Sequence, residues 1–402
     1  MGNEKQVNYW KWLAIAAICL LLVMGALYVS KTGQKTADPA PAAEAAPASS
    51  AMPAAEPVSA PKPEPSPAPV LEPLSLWTET APLKQQLIPF VEAAVTQGDP
   101  GYIPVERRIA VFDFDGTLFC ETDPNYFDYT LLVHRVLEDA DYRDKASAYE
   151  RETALKIVEQ NEKGTSFEGL ETDHGKCIAS SFAGMTPEEF TAYVQEFKKT
   201  PMPSYEGMTR GGGWYLPMLE VIDYLEANGF TVFIISGTDR LIVRGIAQDS
   251  PLDLPMHQII GSDESLVAVN QGGADGLHYQ YTAEDKVILG GDFLIKNLKM
   301  NKVSVIMQEI GVQPVLSFGN STGDTSMANH AITNNPYPSR AFMLCCDDTE
   351  RENGNLTKAD NMYALCEQNG WTPVSMKNDW TTIYGDSVTY TPAAEEEPAA
   401  AA

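Results

Sequence analysis

The sequence predicts an α/β fold, a Rossmann-like parallel sheet with helices on both faces. Four apolar runs have strand character: Ile109–Phe114, Thr231–Ser236, Val315–Phe318 and Ala341–Cys345. Helical patterns, among them Leu216–Asn228 and Lys302–Ile310, lie between them. Strands alternating with helices indicate a parallel sheet. Carboxylates, hydroxyls and glycines stand at the ends of three of the runs, which is where such sheets place ligands.

The 402 residues and formal net charge of −27 allow one large domain or two small ones. The acid excess argues against nucleic acid as a partner, because a phosphate backbone demands clustered Lys and Arg. No Cys or His spacing resembles a zinc site. Outside the N-terminal apolar run there are five cysteines, Cys120, Cys177, Cys345, Cys346 and Cys366. They read as buried thiols rather than a disulfide framework, with a Cys177–Cys366 bridge left open.

Four regions follow from composition. Residues 1–35 contain Trp12–Val29, a charge-free run of 18 residues, near the lower limit for a membrane-spanning helix. No small-x-small cleavage site follows it. An uncleaved anchor is the expectation, with the catalytic domain on the extracytoplasmic side, or secreted if the segment is cleaved. Residues 36–73 carry eleven prolines among Ala, Glu and Ser, the composition of a disordered tether. Residues 74–390 hold the fold, and residues 391–402 form an acidic tail.

The chemistry starts at the first strand, IAVFDFDGTLFC. Residues i and i+2 of an extended strand point the same way, so Asp113 and Asp115 face one site where Gly116 permits a turn. Like charges so close call for a cation or a shared proton. Mg²⁺ suits carboxylates and needs neither His nor Cys. The plainer reading is a solvated Asp-x-Asp-Gly turn. A second strand ends in Ser236-Gly237-Thr238, a hydroxyl with free turn amides that can receive an anion. Lys302 opens a helical run, KVSVIMQEIG, and can neutralise phosphate or carboxylate. The third strand, Val315–Phe318, runs into Gly319-Asn320-Ser321 and then Asp324, whose oxygens could complete a magnesium shell.

Taken in order, DFDGT, IISGT, NK and GNSTGD resemble the four motifs of the haloacid dehalogenase superfamily, most closely its phosphoserine-phosphatase-like members. DDTEREN and NGWTPVSMKNDW near the end resemble an exported bacterial branch of it. The resemblance implies a phosphatase acting on a small phosphomonoester through an aspartyl-phosphate. Asp113 would be the nucleophile and Asp115 the general acid and base. Ser236, Gly237 and Lys302 would hold the phosphoryl group, with Arg240 reaching a substrate anion. Mg²⁺ would be held by Asp113, Asp115 and Asp324, with Asn320, where many relatives have Asp, as an auxiliary ligand. A phosphotransferase would use the same residues, and a silent binding or scaffold protein would keep the fold without turnover.

The resemblance also implies a helical cap inserted after the first motif strand, at about residues 120–210. Asp115 and Ser236 have 120 residues between them, far more than a simple crossover needs. Within the insert Glu121, Asp123, Tyr126, His174 and Lys176 are possible selectors of substrate. Gly211–Gly213 reads as a hinge or linker. Lys296 and Lys299 read as part of a solvated face.

Overall fold

Alternate residues of the first strand serve two different cores. The computed structural model describes residues 73–391 apart from 122 and 124. In β1 (Ile109–Phe112), Ala110 and Phe112 join the cluster on one face, whereas Ile109 and Val111 join the other. A strand buried on both faces needs helices on both, which is the physics of a parallel sheet.

The remaining strands are β2 (Tyr205–Glu206), β3 (Thr231–Asp239), β4 (Ile259–Ala268), β5 (Val287–Ile295), β6 (Leu316–Gly319), β7 (Arg340–Cys345), β8 (Thr372–Ser375) and β9 (Thr389–Tyr390). Seven form one sheet in the order β5-β4-β3-β1-β6-β7-β8. Its pairings are parallel except for β4 with β5. Strand order reverses at β1 and β6, with Ala110 opposite Leu316, so the crevice beyond their carboxyl ends is the natural ligand site. Stacked rings of Phe112 and Phe318, with centroids 4.1 Å apart, brace those two strands. β2 and β9 pair separately and antiparallel.

Helices α1 (Pro82–Val95) and α6 (Leu216–Ala227) pack on one face, α1 through Leu83, Leu87, Val91 and Ala94. That 4-4-3 spacing is one helical stripe. Four helices lie between β1 and β2: α2 (Phe127–Val133, extended to Glu138 by a π turn), α3 (Ala148–Lys163), α4 (Leu170–Ser181) and α5 (Pro187–Phe197). Ser147 with Glu150, and Thr186 with Glu189, form reciprocal capping boxes that start α3 and α5. The insert leaves and rejoins the core at one point, where the Cys120 N–H donates to the Gly213 carbonyl at 2.7 Å. A Cβ at Gly213 would stand 2.9 Å from Cys120 Cβ, so the glycine permits this close crossing. Leu289 of β5 exchanges two 2.8 Å backbone hydrogen bonds with Gly184 and Met185, tying the insert to the sheet edge.

Downstream lie α7 (Arg240–Ala247), α8 (Met300–Val305), α9 (Thr325–Ile332), α10 (Leu356–Asn369) and α11 (Met376–Asp379). α8 and α9 contribute Val305, Ile306 and Met327 to the second face. The expected helix 302–310 thus begins two residues earlier and continues from Ile306 as a π turn.

The expected membrane anchor and extracytoplasmic placement need correction. Among the described residues no helix is long and apolar enough to cross a membrane. The longest, α3, has 16 residues and a polar outer face, against the roughly 20 apolar residues a span requires. Trp12–Val29, the tether and the tail after Thr391 lie outside the described residues. Cys177, Cys345, Cys346 and Cys366 are free thiols, so Cys177 and Cys366 are not bridged.

Candidate active site

The turn after β1 is built around a residue without a side chain. The Asp113 N–H continues the ladder to the Phe318 carbonyl at 2.9 Å, and the Phe114 carbonyl accepts from Leu118 N at 2.8 Å. Gly116 has φ +74°, and a Cβ there would stand 1.8 Å from the Asn320 side-chain nitrogen. Only glycine meets both demands. The turn leaves Asp113 and Asp115 at the crevice, each less than a tenth exposed. One Asp115 oxygen, Oδ2, accepts from the Thr238 hydroxyl at 2.7 Å. The other, Oδ1, is buried and has no hydrogen-bond partner.

Lys302 joins the remaining pieces. It sits in α8 with no exposed surface. Its Nζ pairs with Asp113 Oδ1, pairs with Asp324 Oδ1 at 2.7 Å and donates to the Ile235 carbonyl at 2.5 Å. All three donor sites of the ammonium are therefore used. The second oxygen of Asp324 accepts from Asn320 N at 3.1 Å, Ser321 N at 3.0 Å and the Ser321 hydroxyl at 3.1 Å. Asp324 thus fixes the loop and the lysine together.

Electrostatics follow from burial. Desolvation raises the Asp113 carboxyl to about 7; Asp324 adds to the rise and Lys302 opposes it. Asp115 is pushed well above the ordinary carboxylate range, first by burial, then by Asp128 and Asp113. Burial pulls Lys302 down, but the two carboxylates more than offset this and hold it charged.

A cavity of about 660 Å³ opens over these groups. Asp113, Asp115, Gly237, Thr238, Asn320 and Asp324 line its floor. Glu121, Tyr126, Asp128, Tyr129 and Glu171 of the insert form one wall, and α10 supplies Thr357, Lys358 and Asn361. Lys358 pairs with both oxygens of Glu121.

Asp113, Lys302 and Asp324 are brought into direct contact, with Asp115 and Asn320 beside them. Ser236 lies just behind the cavity wall. Fully buried, its hydroxyl accepts from Thr238 N at 3.0 Å and shapes the turn that presents Gly237. Arg240 is not at the cavity: its guanidinium pairs with Asp263 and with Glu309, the latter at 2.7 Å. The expectation that it reaches substrate is corrected, because two carboxylates hold it away. Of the possible selectors, Glu121 and Tyr126 reach the cavity. Asp123 instead accepts from Ser204 N at 2.9 Å, and buried His174 turns Nε2 to the Asp128 carbonyl at 3.1 Å. Lys176 does not line it.

Sequence reasoning missed Thr238, Asp128 and Lys358. The signal for Thr238 was present, since Ser236 and Thr238 alternate onto one face of a strand. Nothing marks Lys358, which lies 237 residues from its partner Glu121. Among the described residues no three of His, Cys, Asp and Glu gather as a metal cluster.

The chain is similar in structure to a conserved protein of unknown function from Anaerococcus prevotii, with 14% identity and a TM-score of 0.44, covering 75% of this chain and 94% of that one. It is similar to a protein of unknown function from Bordetella pertussis, with 15% identity, a TM-score of 0.42 and 67% and 98% of the two chains covered. It is also similar to cytosolic 5'-nucleotidase IIIB bound to cytidine, with 10% identity, a TM-score of 0.43 and 74% and 88% covered. No curated protein matches the sequence. Residues 110–329, more than half of the chain, match the model of the haloacid dehalogenase-like hydrolases. From β1 into α9, that span takes in both carboxylate partners of Lys302 and the whole insert, and the chain belongs to that family.

Proposed function

We propose that this protein is a phosphomonoester hydrolase in which Asp113 attacks phosphorus. The observation that supports this most is the Lys302 bridge between Asp113 and Asp324 on the floor of an open cavity. With Oδ1 held by Lys302, Asp113 keeps Oδ2, 3.4 Å from the Thr117 hydroxyl, for the attack. The new bond from Asp113 to phosphorus forms as the ester bond to the leaving group breaks. Asp115, kept protonated well above the usual carboxylate range, gives its proton to the departing alkoxide. It then takes one from the water that cleaves the aspartyl-phosphate and releases inorganic phosphate. The turn amides at Gly237 hold the phosphoryl oxygens, Ser236 keeps that turn in shape, and Lys302, its donors committed, supplies positive charge from behind Asp113.

Mg²⁺ fits part of the donor set. Hard oxygens at Asp113 and the Asn320 amide would hold it, with water and phosphate completing the shell, while Asp115, whose Oδ1 is buried and unpartnered, is left to carry the proton. Asp324 does not fit as a direct ligand, because both of its oxygens are committed to Lys302 and the loop. When bound, the ion would neutralise and orient the phosphoryl oxygens. In this reading residues 74–390 are one hydrolase domain. The segment at about 120–210, with helices α2 to α5, is a cap that shields the reacting centre from water.

The test is release of phosphate from 4-nitrophenyl phosphate by the purified protein. Activity is expected with Mg²⁺, absent after EDTA and restored by added Mg²⁺. It should be lost in Asp113→Asn. Undiminished turnover by Asp113→Asn overturns the assignment.

A further inference from the structure

Lys296 and Lys299, which the sequence reading assigned to a solvated face, line the cavity above Asp113. They sit on the loop between β5 and α8. That loop is held in place: Lys299 N donates to the Gly323 carbonyl at 2.7 Å, and the Asn301 side chain donates to the Lys296 carbonyl at 2.8 Å. Leu298 between them packs so closely on the Ser236 turn that a Cβ at Gly237 would stand 2.7 Å from its Cδ2. Lys299 has φ +55° and ψ −124°, a conformation that costs a non-glycine residue free energy. The fold retains that cost at a residue that lines the cavity.

The charges of this cavity are unevenly matched. Asp113 and Asp324 share Lys302, and Glu121 pairs with Lys358. Among the described residues, no carboxylate lies within ion-pair distance of Lys296 or Lys299. Lys302 already neutralises Asp113 from behind the cavity floor. Two further lysines that line the cavity itself, together with Thr322, exceed what one phosphomonoester requires. Asp128 and Glu171, on the insert helices α2 and α4, line the same cavity without forming an ion pair with either lysine.

We propose that Lys296 and Lys299 form a second anion subsite, so that the preferred substrate carries a carboxylate or a second phosphate on its leaving group. This rests on the phosphatase reading for turnover, but not for binding. Two ammonium groups can each contribute a charge-assisted hydrogen bond to such an anion.

The experiment compares kcat/KM within matched pairs: 3-phosphoglycerate with glycerol 3-phosphate for a carboxylate, and fructose 1,6-bisphosphate with fructose 6-phosphate for a second phosphate. The member carrying a second anionic group in at least one pair is expected to be favoured about tenfold or more, the ratio that 1.4 kcal/mol of selective binding produces. Lys296→Met with Lys299→Met should bring that ratio near one, whereas the double Arg variant should keep it. Selectivity in the first pair alone identifies a carboxylate, in the second alone a phosphate. Ratios near one in both pairs, or a ratio unchanged by the double Met variant, overturn the subsite. Calorimetric binding of the same four compounds to Asp113→Asn separates the two readings. If neither these four nor 4-nitrophenyl phosphate is hydrolysed, the phosphatase reading fails, while the binding ratios still decide for or against the subsite.

Discussion

Lys302 and Asp113 are 189 residues apart in sequence and in direct contact through Nζ and Oδ1, with Asp324 on the same ammonium at 2.7 Å. This ion triad is buried from end to end. Removing one member of such a group leaves the others uncompensated in a poorly solvated place. Lys302→Met is expected to destabilise the fold by about 3–5 kcal/mol in urea unfolding. It should also lower turnover of 4-nitrophenyl phosphate by at least about a hundredfold. Wild-type stability in this variant would mean that the two carboxylates do not depend on the lysine.

Gly116 carries both a positive φ and a space constraint imposed by Asn320. Gly116→Ala should cost about 1–2 kcal/mol from backbone strain alone. It should cost more activity than stability, because the new methyl displaces the Asn320 amide. Comparing thermal unfolding with kcat measures the two effects separately.

Behind the turn, Glu352 accepts from Tyr205 at 2.8 Å and from the Tyr384 hydroxyl. Burial pushes its carboxyl up from 4.5 to about 7, against the hydrogen bonds from the two tyrosines. Between those values the folded protein holds a proton that the unfolded chain has released. Stability from this group is therefore greatest below the unfolded value and is lost as pH rises toward 7, by at most about 1.4 kcal/mol per unit. Glu352→Gln should flatten that slope in denaturation midpoints measured across the range. A slope unchanged by the substitution assigns it to other groups.

Arg240 pairs with Asp263 and Glu309 away from the cavity. Its guanidinium is partly buried, and Arg240→Met should cost about 1–2 kcal/mol of stability. KM for 4-nitrophenyl phosphate should stay within about twofold of wild type, since less than half a kcal/mol of binding is at stake. A KM rise of tenfold or more would return Arg240 to the substrate.

What the sequence revealed was local. An apolar run ending in Asp113-Phe-Asp115-Gly116 carries its own strand, turn and facing carboxylates, and the Ser236 strand and Asn320 loop do likewise. Parallel pairing of those strands then brings their ends together. Strands β4 and β5 were not legible: their hairpin is half exposed, with polar residues such as Ser262, Asp263 and Glu264 and the pair Gly290-Gly291 breaking the apolar run. The duties of Asp324 and Arg240 depend on where Lys302 and Glu309 arrive in space, which spacing along the chain does not encode. Lys296 and Lys299 look like any solvated pair until the loop is seen folded against Gly237 and Gly323.

The central claim is that phosphate passes through a covalent bond to Asp113. Rapid quenching of turnover, reduction with borohydride and peptide mass spectrometry would locate it, because hydride converts an acyl phosphate to an alcohol. The account predicts homoserine at position 113 in wild-type protein during turnover and none without substrate. Phosphate release with position 113 unmodified, or with the modification on another residue, would contradict it.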